Sequence, residues 1–524
     1  MLTSDFAIKP AVRYRPILGL GSVLLGLCLA ASPAAGQLAA DGNLRLFQND
    51  LGGAAEAGDG FGGALAVGDF DGDGRLDVAI GAPGEQVGSA VEAGTVFVRY
   101  GSADGLGSGD SAVFDQGLSG LLDDAETGDR FGEALAAGNF NGDVYTDLAI
   151  GVPGETFGAA DGAGAVHVLY GGAGGLSTNG DQVWQQNSTG IEDLAERDDG
   201  FGSALAVGNF DDDAYDDLVI GVPGEDVVFT LDAGAVAVLF GSAGGIAAVD
   251  DVLLTNDPQV GDRFGAALAV GERSGDGVDD LMVGVPGDDS TSGSIDTGIV
   301  RIAFSFPGRS FAFVSGFGTS EADSAVGAAL TACDVDADDV SDILAGAPDR
   351  GDEDTGALLV FDEQSGGIQN LNQSTPGALE TAEPFDRFAL AVACGDFNGD
   401  GFDDAAVGVP LENLDDDAPD PLLDTGIVQV FAGSADGLTT VDDQVWSLSS
   451  PGIGFGSADG DRFGAALAVG DMDGDGGDDL VIGVPGANIS GQAGAGLVQV
   501  IFRSTDFADG FESGDTAAWS ATVM

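Results

Sequence analysis

Residues 61–85 read FGGALAVGDFDGDGRLDVAIGAPGE, and the phrase returns from Phe131 as FGEALAAGNFNGDVYTDLAIGVPGE and from Phe201 as FGSALAVGNFDDDAYDDLVIGVPGE. Further copies begin at Phe264, Val326, Phe388 and Phe463, which makes seven with starts 62–75 residues apart. A period of that length is too long for one hairpin and suits a four-stranded unit with loops. Each copy runs in the same order: a stretch of small alternating residues (64–68), an acidic loop, an apolar run ending in Gly-Ala/Val-Pro (78–83), a variable loop, and a third apolar stretch (95–100). A Gly-rich turn and a weaker fourth strand follow, as in Asp181-Gln182-Val183-Trp184 and Asp443-Gln444-Val445-Trp446. Ala and Gly in the first strand suit the crowded inner rim of a ring.

The seventh copy ends after residue 502 without a fourth strand, while residues 43–47, NLRLF, form a strand with no copy of its own. The N-terminal strand therefore completes the last unit, which removes an exposed sheet edge. These features predict an all-β chain: a closed seven-bladed β-propeller of four-stranded antiparallel blades rather than an open solenoid.

Composition agrees with a packed fold. The 524 residues include 90 Gly but only 17 Pro, and 44% are apolar, which excludes collagen-like and disordered chains. Lys9, Arg13 and Arg15 precede an apolar run over residues 17–31 that gives way to Ala34-Ala35-Gly36. This predicts a signal peptide over residues 1–36, a propeller over 37–503 and a short tail over 504–524 that is either a sorting signal or a surface tail. The apolar run is shorter than the roughly 20 residues a spanning helix needs, and nothing later qualifies, so an exported product with no membrane span is expected. Formal net charge is -72, which argues against nucleic acid and anionic lipid as partners. Cys333 and Cys394 sit near the ends of first strands in adjacent copies, and the spacing leaves open an interblade disulfide or two packed thiols.

The acids are concentrated in the loop between the first two strands. In the first copy Asp69, Asp71, Asp73 and Asp77 alternate, with the carbonyl of Arg75 free to add an oxygen. A tight loop that points every second residue inward gathers several oxygens about one hard cation. The corresponding sets are Asn139, Asn141, Asp143, Tyr145 and Asp147; Asn209, Asp211, Asp213, Tyr215 and Asp217; and Glu272, Ser274, Asp276, Val278 and Asp280. The last three copies offer Asp334, Asp336, Asp338, Val340 and Asp342; Asp396, Asn398, Asp400, Phe402 and Asp404; and Asp471, Asp473, Asp475, Gly477 and Asp479. The spacing is that of an EF-hand's opening, but the twelfth position, where that motif needs Glu, is Ile80, Ile150, Ile220, Val283, Ala345, Val407 or Ile482.

Phe-Gly, the acidic loop and Gly-Ala/Val-Pro together resemble FG-GAP repeats, the units of the integrin α-subunit propeller and of exported bacterial proteins. The resemblance covers roughly residues 43–503. It implies up to seven calcium ions held in loops on one face and ligand contacts made by the loops of the other. Copies one and seven offer four Asp with Gly74 and Gly476 at the sharp turn, and copy six, with Gly401, has one charge fewer. Copies three and five put Ala214 and Asp339 at that turn, where strain is expected. Copy two has two charged ligands, and copy four departs furthest. Magnesium, with its rigid octahedron, suits such loops less well.

Little in the chain points to catalysis. His167 is the only histidine and lies in a third-strand stretch, and no HExxH, GxSxG or P-loop phrase occurs. The reading is therefore a non-enzymatic extracellular adhesion or ligand-binding module that meets an unidentified protein or glycan, with its oligomeric state open. The alternatives are a carbohydrate- or lipid-directed hydrolase or lyase on the same scaffold, or a purely structural surface protein. Arg350-Gly351-Asp352 spells an integrin-recognition tripeptide, but chance produces it readily in a chain this rich in Gly and Asp.

Overall fold

The computed structural model describes residues 37–504, apart from 104, 192, 290–293, 307, 315, 352, 363–365 and 415–421. The signal segment, most of the C-terminal tail and Asp352 lie outside the described residues.

Seven antiparallel sheets form in chain order. In the first, Ala64–Gly68, Asp77–Ala82, Thr95–Arg99 and Ser111–Phe114 pair successively. First strands of consecutive blades lie side by side, and that of blade seven, Ala466–Gly470, packs beside that of blade one, so the ring is closed. The clasp is present as well. Leu38–Leu46 is the outer strand of blade seven, pairing Leu46 with Val498 and Arg45 with Gln499, then shifting register to pair Ala39 with Phe502. It begins five residues earlier than the sequence pattern suggests, because the shift between Ala39 and Leu44 interrupts the alternation. Blade four departs from four strands: its outer position is filled by two short pieces, Ser310–Phe313 and Phe317–Gly318, both paired with Ile299–Phe306.

The core lies between blades rather than within one. Each of the seven apolar clusters draws side chains from two consecutive blades; Phe70 and Val96 of blade one, for instance, join Phe131, Leu148 and Ile150 of blade two. Second strands are buried on both faces, all six residues of Asp77–Ala82 included, which is why they read as continuous apolar runs. The Phe of each Phe-Gly pair is fully buried. The Gly of the Gly-Ala/Val-Pro phrase is needed because the neighbouring blade presses its backbone there: a Cβ on Gly81 would stand 2.1 Å from the carbonyl oxygen of Gly132, and one on Gly151 2.1 Å from that of Gly202. The repeated phrase is thus the imprint of blade-on-blade contact.

Cys333 and Cys394 form a disulfide, Cα atoms 6.4 Å apart, tying the first strand of blade five to that of blade six. Of the two readings the sequence left open, this selects the bond.

Candidate metal centres

The turn between first and second strands places every acidic loop on one face of the ring. In blade one, Asp69 is folded back over the loop: Oδ1 accepts from the backbone N–H of Gly72 and Asp73, and Oδ2 from that of Gly74. Asp71 and Asp73 each accept from the backbone two residues on. Asp77 opens the second strand, fully buried, and holds the blade together by accepting from Phe70 N–H at 2.8 Å and Gly101 N–H at 2.7 Å. Asp69, Asp71 and Asp77 bring carboxylate oxygens within 4.8 Å of one another, as do Asp334, Asp336 and Asp342 in blade five. Burial, reinforced by the neighbouring carboxylates, pushes Asp77 up to about 7, and Asp147, Asp217, Asp342, Asp404 and Asp479 share that value. Convergent oxygen-only donors with no basic group at their centre fit a hard divalent cation.

The loops fall into classes that the sequence foreshadows only partly. Blades one, six and seven share one geometry, with Asp396 and Asp471 cradled by backbone N–H groups as Asp69 is, and Gly74, Gly401 and Gly476 left-handed at φ 85°, 89° and 87°. Blade five joins them: Asp334 accepts from Asp338 and Asp339 N–H, and Asp339 adopts φ 68°, the strained conformation expected there. Blades two and three differ. Asn139 and Asn209 turn their amides to donate to the carbonyls of Asp143 and Asp213, and Ala214 is not left-handed, so the strain expected at Ala214 is absent. In blade three Arg309 also reaches in from blade four, its Nε 2.8 Å from Asp211 Oδ2. In blade four Glu272 takes the first position and accepts from Gly275 N–H, while Arg273 replaces the buried apolar residue that follows it elsewhere and donates to the Ser341 carbonyl. The side chain of Arg75 pairs with Asp73, leaving its carbonyl as the donor that concerns the site.

His167 is fully buried, its ring 5.4 Å from that of Phe131 and Nδ1 3.5 Å from Asp181 Oδ2. Arg350 pairs with Glu321 at 3.1 Å. The sequence reading missed a further acidic set on the opposite face, where Glu85, Glu155, Glu225 and Glu412 follow the second strands of their blades. The signal is the Glu that closes GAPGE in blade one, GVPGE in blades two and three and GVPLE in blade six.

The FG-GAP repeat model matches residues 61–98, 131–169, 201–239, 388–431 and 463–501, which are blades one, two, three, six and seven. Human integrin alpha-8 is 30% identical over 205 residues, covering 37% of this chain and 17% of that protein. Chicken integrin alpha-V is 29% identical over 238 residues, covering 43% of this chain and 20% of its own length. The phosphatidylinositol-glycan-specific phospholipase D of Rattus norvegicus is 32% identical over 159 residues, 30% of this chain and 18% of that protein. The chain thus spans about a fifth or less of the relatives it matches. With the repeats, the closed ring and the acidic loops agreeing, the chain is an integrin-α-like FG-GAP-repeat β-propeller.

Proposed function

We propose that this propeller is exported, binds calcium in its acidic loops and acts as an extracellular ligand-binding or adhesion module rather than an enzyme. The observation that carries the reading is where apolar surface is exposed. Val91, Val228, Phe229, Leu231, Ile295 and Leu423 all project from loops joining second to third strands, on the face opposite the acidic loops, and Phe229 is 99% exposed. Exposed apolar side chains occur on the acidic-loop face as well, Val144 among them, but Val228, Phe229 and Leu231 gather in a single loop of the opposite face, and a cluster of that kind marks a recognition surface. The buried carboxylates beneath the acidic loops support the cation part, since a divalent ion relieves their mutual repulsion. His167, enclosed between blades, is out of reach of a substrate.

The test is an array of glycans and extracellular proteins probed with the full chain in calcium and in chelator. Binding that needs calcium and weakens at least tenfold in Phe229→Asp supports the proposal. Turnover of a polysaccharide or lipid, with no calcium-dependent binder, replaces it with the hydrolase or lyase reading. N-terminal sequencing of the exported product should begin near Gln37.

A further inference from the structure

The junctions between blades carry a second pattern on the face away from the acidic loops. At the junction of blades one and two, Gln116 leaves the outer strand of the first and donates from Nε2 to Glu155 Oε2 of the second at 2.9 Å. Asp129, in the linker, accepts from the backbone N–H of Glu126, and Glu126, Asp129 and Glu155 hold carboxylate oxygens within 4.8 Å of one another. Gln116 and Glu155 are each 2% exposed and Asp129 1%. The same set recurs at the clasped junction of blades seven and one, where Gln48 bonds Glu85 and Glu56, Asp59 and Glu85 converge. It recurs as Gln186 with Glu225 and as Gln373 with Glu412.

Two observations point to a missing positive charge. The buried oxygens Gln48 Oε1, Gln116 Oε1 and Gln186 Oε1 have no hydrogen-bond partner, and each belongs to an amide already bonded to the cluster. Rotating that amide by half a turn would present the oxygen in place of the nitrogen. The other three junctions show how the chain handles the same position without the Gln–Glu pair. Between blades three and four, Arg301 faces Asp288 at 3.9 Å. Between four and five, Arg350 stands where the others have Glu and pairs with Glu321. Between six and seven, Gln and both Glu are gone together, replaced by Leu448, Ala458 and Ala487, with Leu448 and Ala487 in one apolar cluster. The charge is thus balanced by a guanidinium twice and cut once to a lone carboxylate, Asp461, which accepts from the Ala458 N–H. In the remaining junctions, no ion pair reaches Glu85, Glu155 or Glu225 among the described residues.

We propose that the Gln–Glu–Asp junctions are a second set of divalent-cation sites of the calcium class, each clamping two blades through three carboxylates and a glutamine oxygen. The donors are all hard oxygens, as that class requires. Burial and the adjacent carboxylate raise Glu85 to about 7 and Glu155 to about 8, a burden a bound cation lifts.

The proposal stands apart from the acidic loops, and its test separates the two. Calcium bound per full-length chain is counted by atomic emission after equilibrium dialysis. Gln48→Leu/Glu85→Ala combined with Gln116→Leu/Glu155→Ala, which copies the apolar junction, should lower the count by two. Asp69→Asn/Asp471→Asn should remove loop calcium and leave that loss of two intact. An unchanged count in the junction variant overturns the proposal, even if the metal-free protein gains stability in acid, because a shared proton then does the balancing. Should the apolar variant not fold, Gln116→Glu decides: it should unfold at lower temperature in chelator and bind calcium about tenfold tighter at one site through its added carboxylate. An equal calcium response in Gln116→Glu and the parent also overturns it.

Discussion

Gly81 shows how one missing Cβ sets the geometry of a ring. Its Cα lies against the Gly132 carbonyl of the next blade, with no room for a methyl group at 2.1 Å, and backbone does not yield as a flexible side chain would. Gly81→Ala should destabilise the protein by about 1–3 kcal/mol, read as a lower denaturant midpoint, as overpacking commonly does. The partner Phe behaves oppositely. Phe131 is fully buried between blades, packed edge-on to His167, so Phe131→Ala leaves a void and should cost about 3–5 kcal/mol. Both effects belong to the interface of two blades, and a change of the same kind on an exposed loop should move the midpoint little.

Among elements, the N-terminal strand carries the most topological weight. Leu38–Leu46 pairs with the last strand of the chain across more than 450 residues, and Gln499 Nε2 donates to both Asn43 Oδ1 and the Leu44 carbonyl at 3.0 Å. Deleting residues 38–46 should expose the edge of Leu497–Arg503 and cause concentration-dependent association, visible by light scattering, while the remaining blades keep their strand signal. The disulfide joins blades five and six, and Cys333→Ala/Cys394→Ala should cost about 2–4 kcal/mol. These elements also mark what the sequence could reveal. The orphan NLRLF and the absent seventh fourth strand announced the clasp, because a period of two and a sevenfold repeat are local facts. The junction sets were not legible in that way. Gln116 and Glu155 lie 39 residues apart and meet only once adjacent blades are laid side by side. The loop classes were legible in part: Asp against Asn at the first position was plain, but the amide turn of Asn139 and the accommodation of Ala214 depend on backbone paths the alternation does not encode.

Over the whole molecule, the second-strand Asp of six blades, from Asp77 to Asp479, are raised to about 7 by burial, against a common net charge of -72. A carboxyl whose folded value exceeds its unfolded one favours the folded state when protonated. That contribution is complete below about pH 4, the ordinary carboxylate value, and is lost as pH rises through 7. Without metal, the melting temperature should therefore fall steadily from pH 5 to pH 8. A divalent cation binds the deprotonated form, so its stabilisation grows over the same interval. Melting curves in chelator and in millimolar calcium should converge near pH 5 and separate widely by pH 8. Sodium chloride at matched ionic strength should close only the part of that gap due to long-range repulsion among exposed acids. Parallel profiles in the two buffers would show that the buried carboxylates are balanced without a cation, and would remove the loops as metal sites.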